Sequence, residues 1–436
     1  MRVACLLAVL AALFACGSGR SDELPDVVVV VVDTLRADHL GLYGYDRETA
    51  PFLAEWAERS VSFDRAFSTS SWTAPAAASL FTGVYPIQHG VTMGMNAYQG
   101  LKRMRGDLEL NRIPEELETL PEFMRSLGYR TFGIADNPNI CAAEGFERGF
   151  DRFVQFDYEG APAVEKSLLE WGAEIRSARP FFLYLHYMDP HLPYHEREPW
   201  HEPSTSTDVH EQNRAAYDSE IRYFDQHLRR AFETLGIGED DIVIITADHG
   251  EEFGEHGDGN HLFKLYDELV RIPLLIHHPG VDPEVRRVGA NVSLVDILPT
   301  LRRMLGAPPS TQDIGISLTR NYLEGREDER TVFSMRRSEI GHKAAVIGGG
   351  YKYVLTERNA DLFPDARREH ELYDLNLDPG EKRNLAGRKP DLVQELQGRW
   401  TQLQAEAPRW TPESEWITLT PEEIRRLSSL GYGGEK

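Results

Sequence analysis

Four side chains that together suit metal-assisted displacement chemistry are spread along the sequence. Asp33 comes directly after the valine run Val27–Val32, and Asp248 and His249 come directly after a second apolar run. Thr73 stands in the stretch SSWTAPAAASLFTG, ahead of a run of small residues. A threonine hydroxyl is a weak nucleophile until a cation lowers its pKa, and two carboxylates and an imidazole are suitable cation ligands. Residues of these types could together serve an attack by Thr73 on a bound substrate.

Each of these residues also has an ordinary structural interpretation. Threonine is a preferred N-cap, and the small residues up to Ser79 favour a closely packed helix that begins near Thr73. An aspartate at the end of a strand is commonly a turn or cap residue. The hypothesis of attack by Thr73 therefore depends on whether the fold brings the other groups to it.

The elements that must position these side chains alternate between apolar runs and helical patterns, which is typical of an α/β layer fold. Val27–Val32 is β-branched throughout, as in a strand buried on both faces. Ligands of open α/β sheets bind at the carboxyl ends of the strands, where the polar residues occur here. Further strands are predicted at 130–134, 181–186, 241–246 and 272–277, and helices at 50–60, 115–127, 164–177 and 215–235.

The pattern of predicted secondary structure changes near residue 330. Short strand-like runs at 343–347 and 351–355 are joined by Gly-rich turns, and a helical pattern follows at 390–405. We expect a large, mostly parallel α/β domain and a smaller α+β subdomain with an antiparallel sheet. The predicted boundaries are 26–325 for the catalytic domain, 326–410 for the subdomain and 411–436 for a tail.

The overall charge restricts the class of partner. The 436 residues include 47 basic and 70 acidic side chains, which gives a net charge of −23. Nucleic-acid binding requires a basic surface, so we expect no nucleic-acid partner. An anionic small molecule or an envelope polymer remains a possible substrate if a metal or local cations gather in one pocket.

The first twenty residues, MRVACLLAVLAALFACGSGR, are typical of an export signal. Arg2 precedes an apolar run that is too short to span a bilayer comfortably. The run resembles a bacterial lipoprotein signal over residues 1–15, with cleavage before Cys16, acylation of its thiol and a linker at 16–25. Because Phe14 is bulky for such a site, ordinary signal cleavage is the alternative. We expect a periplasmic or cell-envelope protein attached to a membrane, the outer membrane in the first instance, through a lipid at Cys16. Cys141 would then be the remaining cysteine, so no internal disulfide is expected.

Several segments together make the chain resemble the sulfatase family of the alkaline-phosphatase superfamily, from about residue 26 to 400. They are VVVVVVDTLRADHLGLYGY, TAPAAASLFTGVYP, ADHGEEFGEHG, LYDELVRIPLLI, VSLVDILPTL and ELYDLNLDPGEKRNLA. The resemblance implies a large α/β domain with a mixed, largely parallel sheet and a smaller C-terminal sheet domain. The residues alone led to the same layout.

The chain departs from the family at the nucleophile. Sulfatases carry a Cys-x-Pro-x-Arg pattern, with Cys or Ser first, and convert that residue to formylglycine. Here Thr73 occupies that position, Pro75 is retained and Ala77 stands where arginine belongs. Threonine cannot become formylglycine because its β-carbon bears a methyl group. The family's Gly-Lys-Trp-His stretch is also absent, since residues 133–137 read GIADN.

Members of the superfamily that use threonine are phosphoester enzymes, namely nucleotide phosphodiesterases and the phosphoglycerol and phosphoethanolamine transferases of bacterial envelopes. The resemblance implies that Asp33, Thr73, Asp248 and His249 bind one divalent metal ion. This mixed oxygen and nitrogen set favours Mn²⁺ or Zn²⁺, with Ca²⁺ as the alternative implied by the family.

The same resemblance implies further roles around the nucleophile. His191 matches the family's substrate-binding histidine and is a candidate acid for the leaving group. Three residues are candidates for substrate binding, namely His261, Asn137 and Lys264. His261 is also a candidate second ligand, and Asn137 has a turn role as its alternative. His256 is expected to support the site from outside it, and the carboxylates left open between ligand support and loop hydrogen bonding are Asp189, Asp218 and Asp225.

The sequence therefore predicts an exported, metal-dependent hydrolase that acts on phosphate esters or diesters through Thr73 and a covalent intermediate. A sulfuric ester hydrolase is the first alternative, and an envelope phosphoglycerol- or phosphoethanolamine-type transferase is the second. An inactive, anion-binding lipoprotein is the third, and the presence of a nucleophile beside the metal-ligand set counts against it. The loops that would select the substrate carry no recognisable motif.

Overall fold

The computed structural model of the protein describes residues 24–95 and 111–406, except 258, 262, 283, 284, 339, 361 and 362, together with residues 408 and 410. The predicted signal at 1–15, Cys16 and the tail at 411–436 lie outside the described residues. Within the described part of the chain, no helix has the length and apolar character needed to cross a bilayer.

The larger of two sheets contains the strands that end at the candidate site residues. Its nine strands are β1 (Val27–Val32), β2 (Val61–Phe67), β3 (Arg130–Asp136), β4 (Arg152–Phe156), β5 (Phe181–Tyr187), β6 (Ile242–Ala247), β7 (Arg271–Ile272), β8 (Leu274–His277) and β9 (Arg287–Ser293).

The order of these strands makes the sheet mixed and mostly parallel. The order is β4-β3-β5-β1-β6-β8-β2-β7, and β9 pairs with β2. Strands β4, β3, β5, β1 and β6 pair in parallel, whereas β8 is antiparallel to both β6 and β2. The residues that follow β1, β3, β5 and β6 therefore meet at one edge of the sheet.

Strand β1 lies at the centre of the sheet because it can be covered on both faces. All six of its valines are at most 1% exposed, and it pairs with β5 on one side and β6 on the other. A β-branched run of this kind is suited to a buried parallel strand. The residue that follows it, Asp33, therefore begins in the most enclosed part of the fold.

The helices pack on the two sheets and connect their strands. They are α1 (Pro51–Ala57), α2 (Thr73–Thr82), α3 (Pro86–His89), α4 (Leu120–Ser126), α5 (Ala161–Ser177), α6 (Val209–Leu235), α7 (Asp267–Val270), α8 (Ile297–Met304), α9 (Thr319–Glu324) and α10 (Pro390–Glu406).

Helix α2 is buried at every one of its ten residues. Its alanines leave little side-chain volume, so neighbouring elements can approach the helix on all sides, which is the packing expected of a core helix. The helix ends at Gly83, which adopts the left-handed conformation that favours glycine. The start of α2, and with it Thr73, is therefore fixed inside the domain.

The C-terminal part forms the predicted antiparallel sheet, in the order β10 (Val332–Ser338), β11 (Gly341–Gly348), β12 (Tyr351–Arg358) and β13 (Glu369–Asp374). Helix α10 packs on this sheet through Leu396 and Trp400, which are 1% and 2% exposed. The predicted fold class is confirmed, and the domain boundaries stay predictions.

The differences from the predicted elements have local causes. The predicted strand at 272–277 is divided into β7 and β8 at Pro273, which has no N–H for the ladder. Helix α4 begins only at Leu120, after a capping box between Thr119 and Glu122. Helix α6 begins earlier than predicted, at Val209, because Asp208 accepts a hydrogen bond from the backbone N–H of His210 at 3.0 Å.

A buried ion triad joins the two sheets. The ammonium of Lys352 on β12 lies 2.5 Å from Asp267, at the start of α7, and 3.0 Å from Glu381, and its side chain is fully buried. Burial alone would lower the pKa of Lys352, but the two carboxylates raise it above its ordinary value. Removing one member leaves uncompensated charge in the interior.

We therefore expect Lys352→Met to destabilise the protein by about 3–5 kcal/mol, the usual cost of breaking a buried ion pair. Urea denaturation followed by circular dichroism measures this change. Lys166→Met, at an exposed position of α5, is the matched control and should stay within about 0.5 kcal/mol of the wild type. Equal midpoints for the two variants would contradict a stabilising role of the triad.

Candidate active site

Asp33 and Asp248 follow the neighbouring strands β1 and β6, and backbone amides fix the orientation of Asp248. Its Oδ1 accepts hydrogen bonds from the backbone N–H groups of Thr34 at 3.2 Å and His249 at 2.8 Å. The second oxygen, Oδ2, is buried and has no hydrogen-bond partner among the described residues. One carboxylate oxygen of Asp248 is therefore bound by backbone amides, and the other has no hydrogen bond to a described residue.

Thr73 contacts this pair from the start of α2. Its Oγ1 lies 3.2 Å from Asp33 Oδ2 and 3.4 Å from His249 Nε2. The N-cap of α2 is Trp72, and Thr73 is the first residue of the helix proper. The interpretation of Thr73 as a side-chain cap is therefore wrong, because the start of α2 has no side-chain cap bond and the Thr73 hydroxyl contacts Asp33 and His249 instead.

His249 is held in one tautomer by its backbone surroundings. Its Nδ1 lies 2.8 Å from the carbonyl oxygen of Gly250, which can only accept a hydrogen bond. Nδ1 therefore carries a proton, and Nε2 is the ring nitrogen that faces Asp33 and Asp248, at 3.8 and 3.5 Å from their carboxylate oxygens. A Cβ at Gly250 would lie 2.0 Å from the carbonyl oxygen of Glu268, so only glycine fits there.

The electrostatics of the cluster favour a cation. Asp33 Oδ1, like Asp248 Oδ2, is buried without a hydrogen-bond partner in the described part of the chain. Burial, with the charge of Asp248 adding to it, raises the pKa of Asp33 well above its ordinary range. Asp33, Asp248 and His249 place ligand atoms within 4.8 Å of one another. The donor set fits a divalent ion, which these three residues and Thr73 would hold.

Asn137, which follows β3, holds Asp33 in place. Its amide nitrogen donates to Asp33 Oδ2 at 2.6 Å, and its carbonyl oxygen accepts from the backbone N–H of Asn139 at 2.8 Å. These bonds use the amide group that was expected to contact substrate. Substrate contact by Asn137 therefore stays a prediction, and the observed role is to orient Asp33.

Three histidine rings form a row that leads away from Thr73. The ring of His249 lies 4.6 Å from that of His261, which lies 5.0 Å from that of His191. His261 Nδ1 is 3.1 Å from Glu251, and His191 Nδ1 is 2.6 Å from the carbonyl oxygen of Leu192. The row brings both predicted histidines to the cluster.

Burial determines the protonation of the outer two rings. It lowers the pKa of His191 to about 4 and, with the charge of His249 adding to it, lowers the pKa of His261 well below its ordinary value. Both imidazoles are therefore neutral near pH 7 in the free protein. An acid role for His191 requires an anionic substrate to raise its pKa, and it stays a prediction.

Lys264 is engaged elsewhere. Its ammonium donates to both carboxylate oxygens of Glu252, at 2.9 and 3.1 Å, and to the carbonyl oxygen of His256. His256 in turn lies 2.6 Å from Glu268 and stacks on Tyr266. These contacts support the loop beside the site, as expected for His256, and give no support to substrate binding by Lys264.

The three aspartates that the sequence left open bond to groups outside the cluster. Asp189 accepts from the backbone N–H of Ala161 at 3.1 Å. Asp225 accepts two backbone N–H bonds at the start of α1, both at 2.9 Å. Asp218 lies 2.7 Å from the ring of His39. Each of these hydrogen bonds holds a loop or the start of a helix in place.

Two buried groups beside the cluster had no assigned role. His186, on β5, lies 3.9 Å from Asp33 Oδ2, and neither ring nitrogen has a hydrogen-bond partner among the described residues. Glu251 orients His261, and burial raises its pKa. In the sequence, the feature that could have identified Glu251 is its position in ADHGEE, directly after Asp248 and His249. The feature that could have identified His186 is its position at the end of an apolar strand.

The sequence model of the family described as Sulfatase matches residues 25–307. The chain belongs to the sulfatase family. It is 23% identical over 440 residues to a Delta 4,5-hexuronate-2-O-sulfatase of Bacteroides thetaiotaomicron, covering 86% of this chain and 87% of the relative. It is 27% identical over 456 residues to human arylsulfatase A, covering 85% and 86%.

A solved structure confirms the fold. The phosphonate monoester hydrolase of Agrobacterium radiobacter superposes with a TM-score of 0.70 at 21% identity, covering 88% of this chain and 96% of that one. The predicted membership in the alkaline-phosphatase superfamily is confirmed, and the chain's relatives are ester hydrolases. They include enzymes named for sulfate and for phosphonate esters.

We expect Asp248→Asn to weaken the binding of Mn²⁺ or Zn²⁺ by at least about 100-fold, since changes even outside the ligand shell cost 10–100-fold. Isothermal titration calorimetry with each ion, and with Ca²⁺, measures the affinity. Asp189→Asn removes a buried strand-end carboxylate outside the cluster and is the matched control. Equal loss in the two variants, or stoichiometric binding that survives Asp248→Asn, would argue against the site.

Proposed function

We propose that this protein is a metal-dependent ester hydrolase in which Thr73 attacks the substrate, and that it prefers phosphate esters or diesters. The observation that carries the proposal is the position of Thr73 Oγ1, within 3.4 Å of both Asp33 and His249 at the first residue of a buried helix. When bound, the divalent ion would lower the pKa of the Thr73 hydroxyl and balance the two carboxylates.

The residues of the chain supply the other parts of the mechanism. Asp33 Oδ2 accepts the hydrogen bond of the Thr73 hydroxyl and is the nearest acceptor for its proton, while Asn137 holds that carboxylate. The first turn of α2, which begins at Thr73, would contribute positive potential to an anion bound beside it. The Thr73 oxygen then bonds to phosphorus as the bond to the leaving oxygen breaks, and that oxygen takes a proton from water, or from His191 once a bound anion has raised the pKa of its ring.

The preference for phosphorus rests on the chemistry open to threonine. The formylglycine route is closed because the Thr73 β-carbon bears a methyl group, and Ala77 offers no charge where sulfatases carry arginine. Direct attack by a hydroxyl gives a phosphothreonine ester, which water then hydrolyses. An alcohol in place of water would give the transferase alternative with the same first half-reaction.

A second candidate function is hydrolysis of a sulfate ester. The relatives favour it, because the Bacteroides and human proteins are both named as sulfatases. Direct attack by Thr73 on sulfur would use the same ligands. Rates on nitrophenyl sulfate, nitrophenyl phosphate and bis-nitrophenyl phosphate, each with Mn²⁺, Zn²⁺ or Ca²⁺ supplied, distinguish the two functions.

We expect Thr73→Ala to reduce turnover by a factor on the order of 10³ or more, because an activated nucleophile contributes at least that much. Thr73→Ser should keep part of the activity, since the hydroxyl stays. Steady-state rates on bis-nitrophenyl phosphate measure this, and mass spectrometry of the trapped 70–83 peptide should show an added phosphoryl group.

Thr82→Ala is the matched control for Thr73→Ala. Thr82 is a buried threonine at the other end of α2, and its hydroxyl bonds the carbonyl oxygen of Ala78 at 2.6 Å. This variant should keep near wild-type turnover if it folds. Near wild-type turnover by Thr73→Ala would refute the nucleophile.

We infer in addition that the protein is exported and anchored through Cys16, which lies outside the described residues. The inference rests on the short apolar run that ends at this cysteine. Cys16→Ala should move the protein from the membrane fraction to the soluble fraction without loss of activity, and fractionation with immunoblotting measures the shift. A wild-type protein found wholly in the soluble fraction would overturn the anchor.

A further inference from the structure

A cavity of about 320 Å³ lies where the loop after β1 meets α7 and the loop that follows β13. Its wall includes Arg36 from the first loop, Arg271 as the first residue of β7, and Lys382 from the last loop. Small-molecule sites commonly have volumes of about 300–1,000 Å³. The cavity is therefore large enough for a small ligand, and its described wall includes no member of the candidate metal cluster.

The four carboxylates in this wall all have partners among the described residues. Asp38 accepts two hydrogen bonds from the Arg36 guanidinium, at 2.9 and 2.7 Å, and Glu255 Oε1 lies 2.8 Å from Arg36 Nη1. The other two pairs are Asp267 with Lys352, at 2.5 Å, and Glu268 with His256, at 2.6 Å. Each carboxylate is therefore already paired with a group of the protein.

Two cations of the same wall have no carboxylate partner in the described part of the chain. The half-buried Arg271 donates from Nε to the carbonyl oxygen of Asp64 at 3.1 Å, and no hydrogen bond or ion pair to a described residue engages its terminal nitrogens. The ammonium of Lys382 donates to the carbonyl oxygen of Glu255. A guanidinium has five N–H donors and an ammonium has three. Both groups therefore keep charge and donors for an anion in the cavity.

The loop that carries Lys382 is fixed beside the cavity. Its neighbour Glu381 is buried and has a φ of +53°, in the left-handed region that a non-glycine residue adopts only when its surroundings hold it there. The Glu381 carboxylate accepts hydrogen bonds from the backbone N–H of Asp267 at 2.5 Å and from Lys352 at 3.0 Å. Strained residues of this kind are frequent at ligand sites. The backbone position of Lys382 is therefore set before a ligand binds.

The cavity is separated from the nucleophile by its own wall. A Cβ at Gly250 would lie 2.0 Å from the carbonyl oxygen of Glu268 and 3.3 Å from Arg36 Cγ, so these two lining residues pack on the residue after His249. The carbonyl oxygen of Gly250 contacts the His249 ring on its other side, at 2.8 Å. A ligand of the cavity would therefore be a different molecule from the ester that Thr73 attacks.

We propose that this cavity binds a phosphate or sulfate group through Arg271 and Lys382, either as a free ion or as the charged end of a small molecule. A guanidinium suits such a group because its fork of N–H donors matches two oxygens at once. In a chain with a net charge of −23, two cations without carboxylate partners in one cavity require a counter-charge from outside the protein. The inference goes beyond the proposed function and does not depend on the role of Thr73.

Equilibrium dialysis of the metal-loaded full chain against labelled inorganic phosphate, and in a parallel arm against propylphosphonate, tests this proposal. The metal cluster is the same in every variant, so any ligand bound there is common to all of them. The wild type should bind one ligand more per chain than Arg271→Met, or bind it about tenfold or more tightly, as expected of a charge-assisted contact. The ligand bound more tightly shows whether the ion is free or carried on a small molecule. Identical binding curves for the two proteins with both ligands would overturn the proposal.

Lys382→Met tests the same cavity at an exposed side chain, and it decides the question if Arg271→Met does not fold. It should weaken binding in the same direction. Arg303→Met, at an exposed position of α8, removes the same charge elsewhere and should keep the wild-type binding curve. An equal loss in Arg303→Met would show an effect of overall charge and would also overturn the site. Failure of the wild type to hydrolyse bis-nitrophenyl phosphate would count against the proposed function and leave this binding result unaffected.

Discussion

The structure depends on two buried carboxylates placed side by side. Asp33 and Asp248 follow adjacent parallel strands, each keeps one oxygen without a hydrogen-bond partner in the described residues, and burial makes their shared negative charge costly. A fold stabilised only by its core would gain from apolar residues at these positions. The presence of Asp33 and Asp248 is best explained by a cation that balances their charge. The surrounding contacts hold the two carboxylates in the orientation needed to bind that cation.

Those contacts come from rigid elements. Backbone amides bind Asp248, Asn137 binds Asp33, and the carbonyl oxygen of Gly250 sets the tautomer of His249. These contacts are made by backbone groups and by one short side chain, that of Asn137. The metal-ligand side chains are therefore oriented before an ion or substrate binds. Thr73 joins the cluster from the first residue of the buried helix α2, and its hydroxyl contacts Asp33 and His249.

The sequence predicted the parts of this arrangement that local pattern encodes. A run of valines is typical of a central buried strand, and parallel strands bring their carboxyl ends together, so Asp33, Asp248 and His249 were expected to meet. The pattern could not show that Thr73 would begin the helix as its first residue, or that Lys264 would be neutralised by Glu252. Both depend on contacts between distant segments. The same holds for strand β2, whose charged centre hides its pairing with β8 and β9.

Replacing the sulfatase cysteine by threonine has a consequence beyond the nucleophile. With alanine at position 77, helix α2 no longer provides a cation, and the arginine beside Trp72, Arg336, belongs to the C-terminal sheet. The contacts between the two sheets therefore fix the position of that arginine relative to Thr73. The backbone bond of Met335 to Thr69 and the buried triad around Lys352 both cross that junction. The same contacts therefore stabilise the junction between the sheets and fix the C-terminal sheet relative to the segment that leads to Thr73.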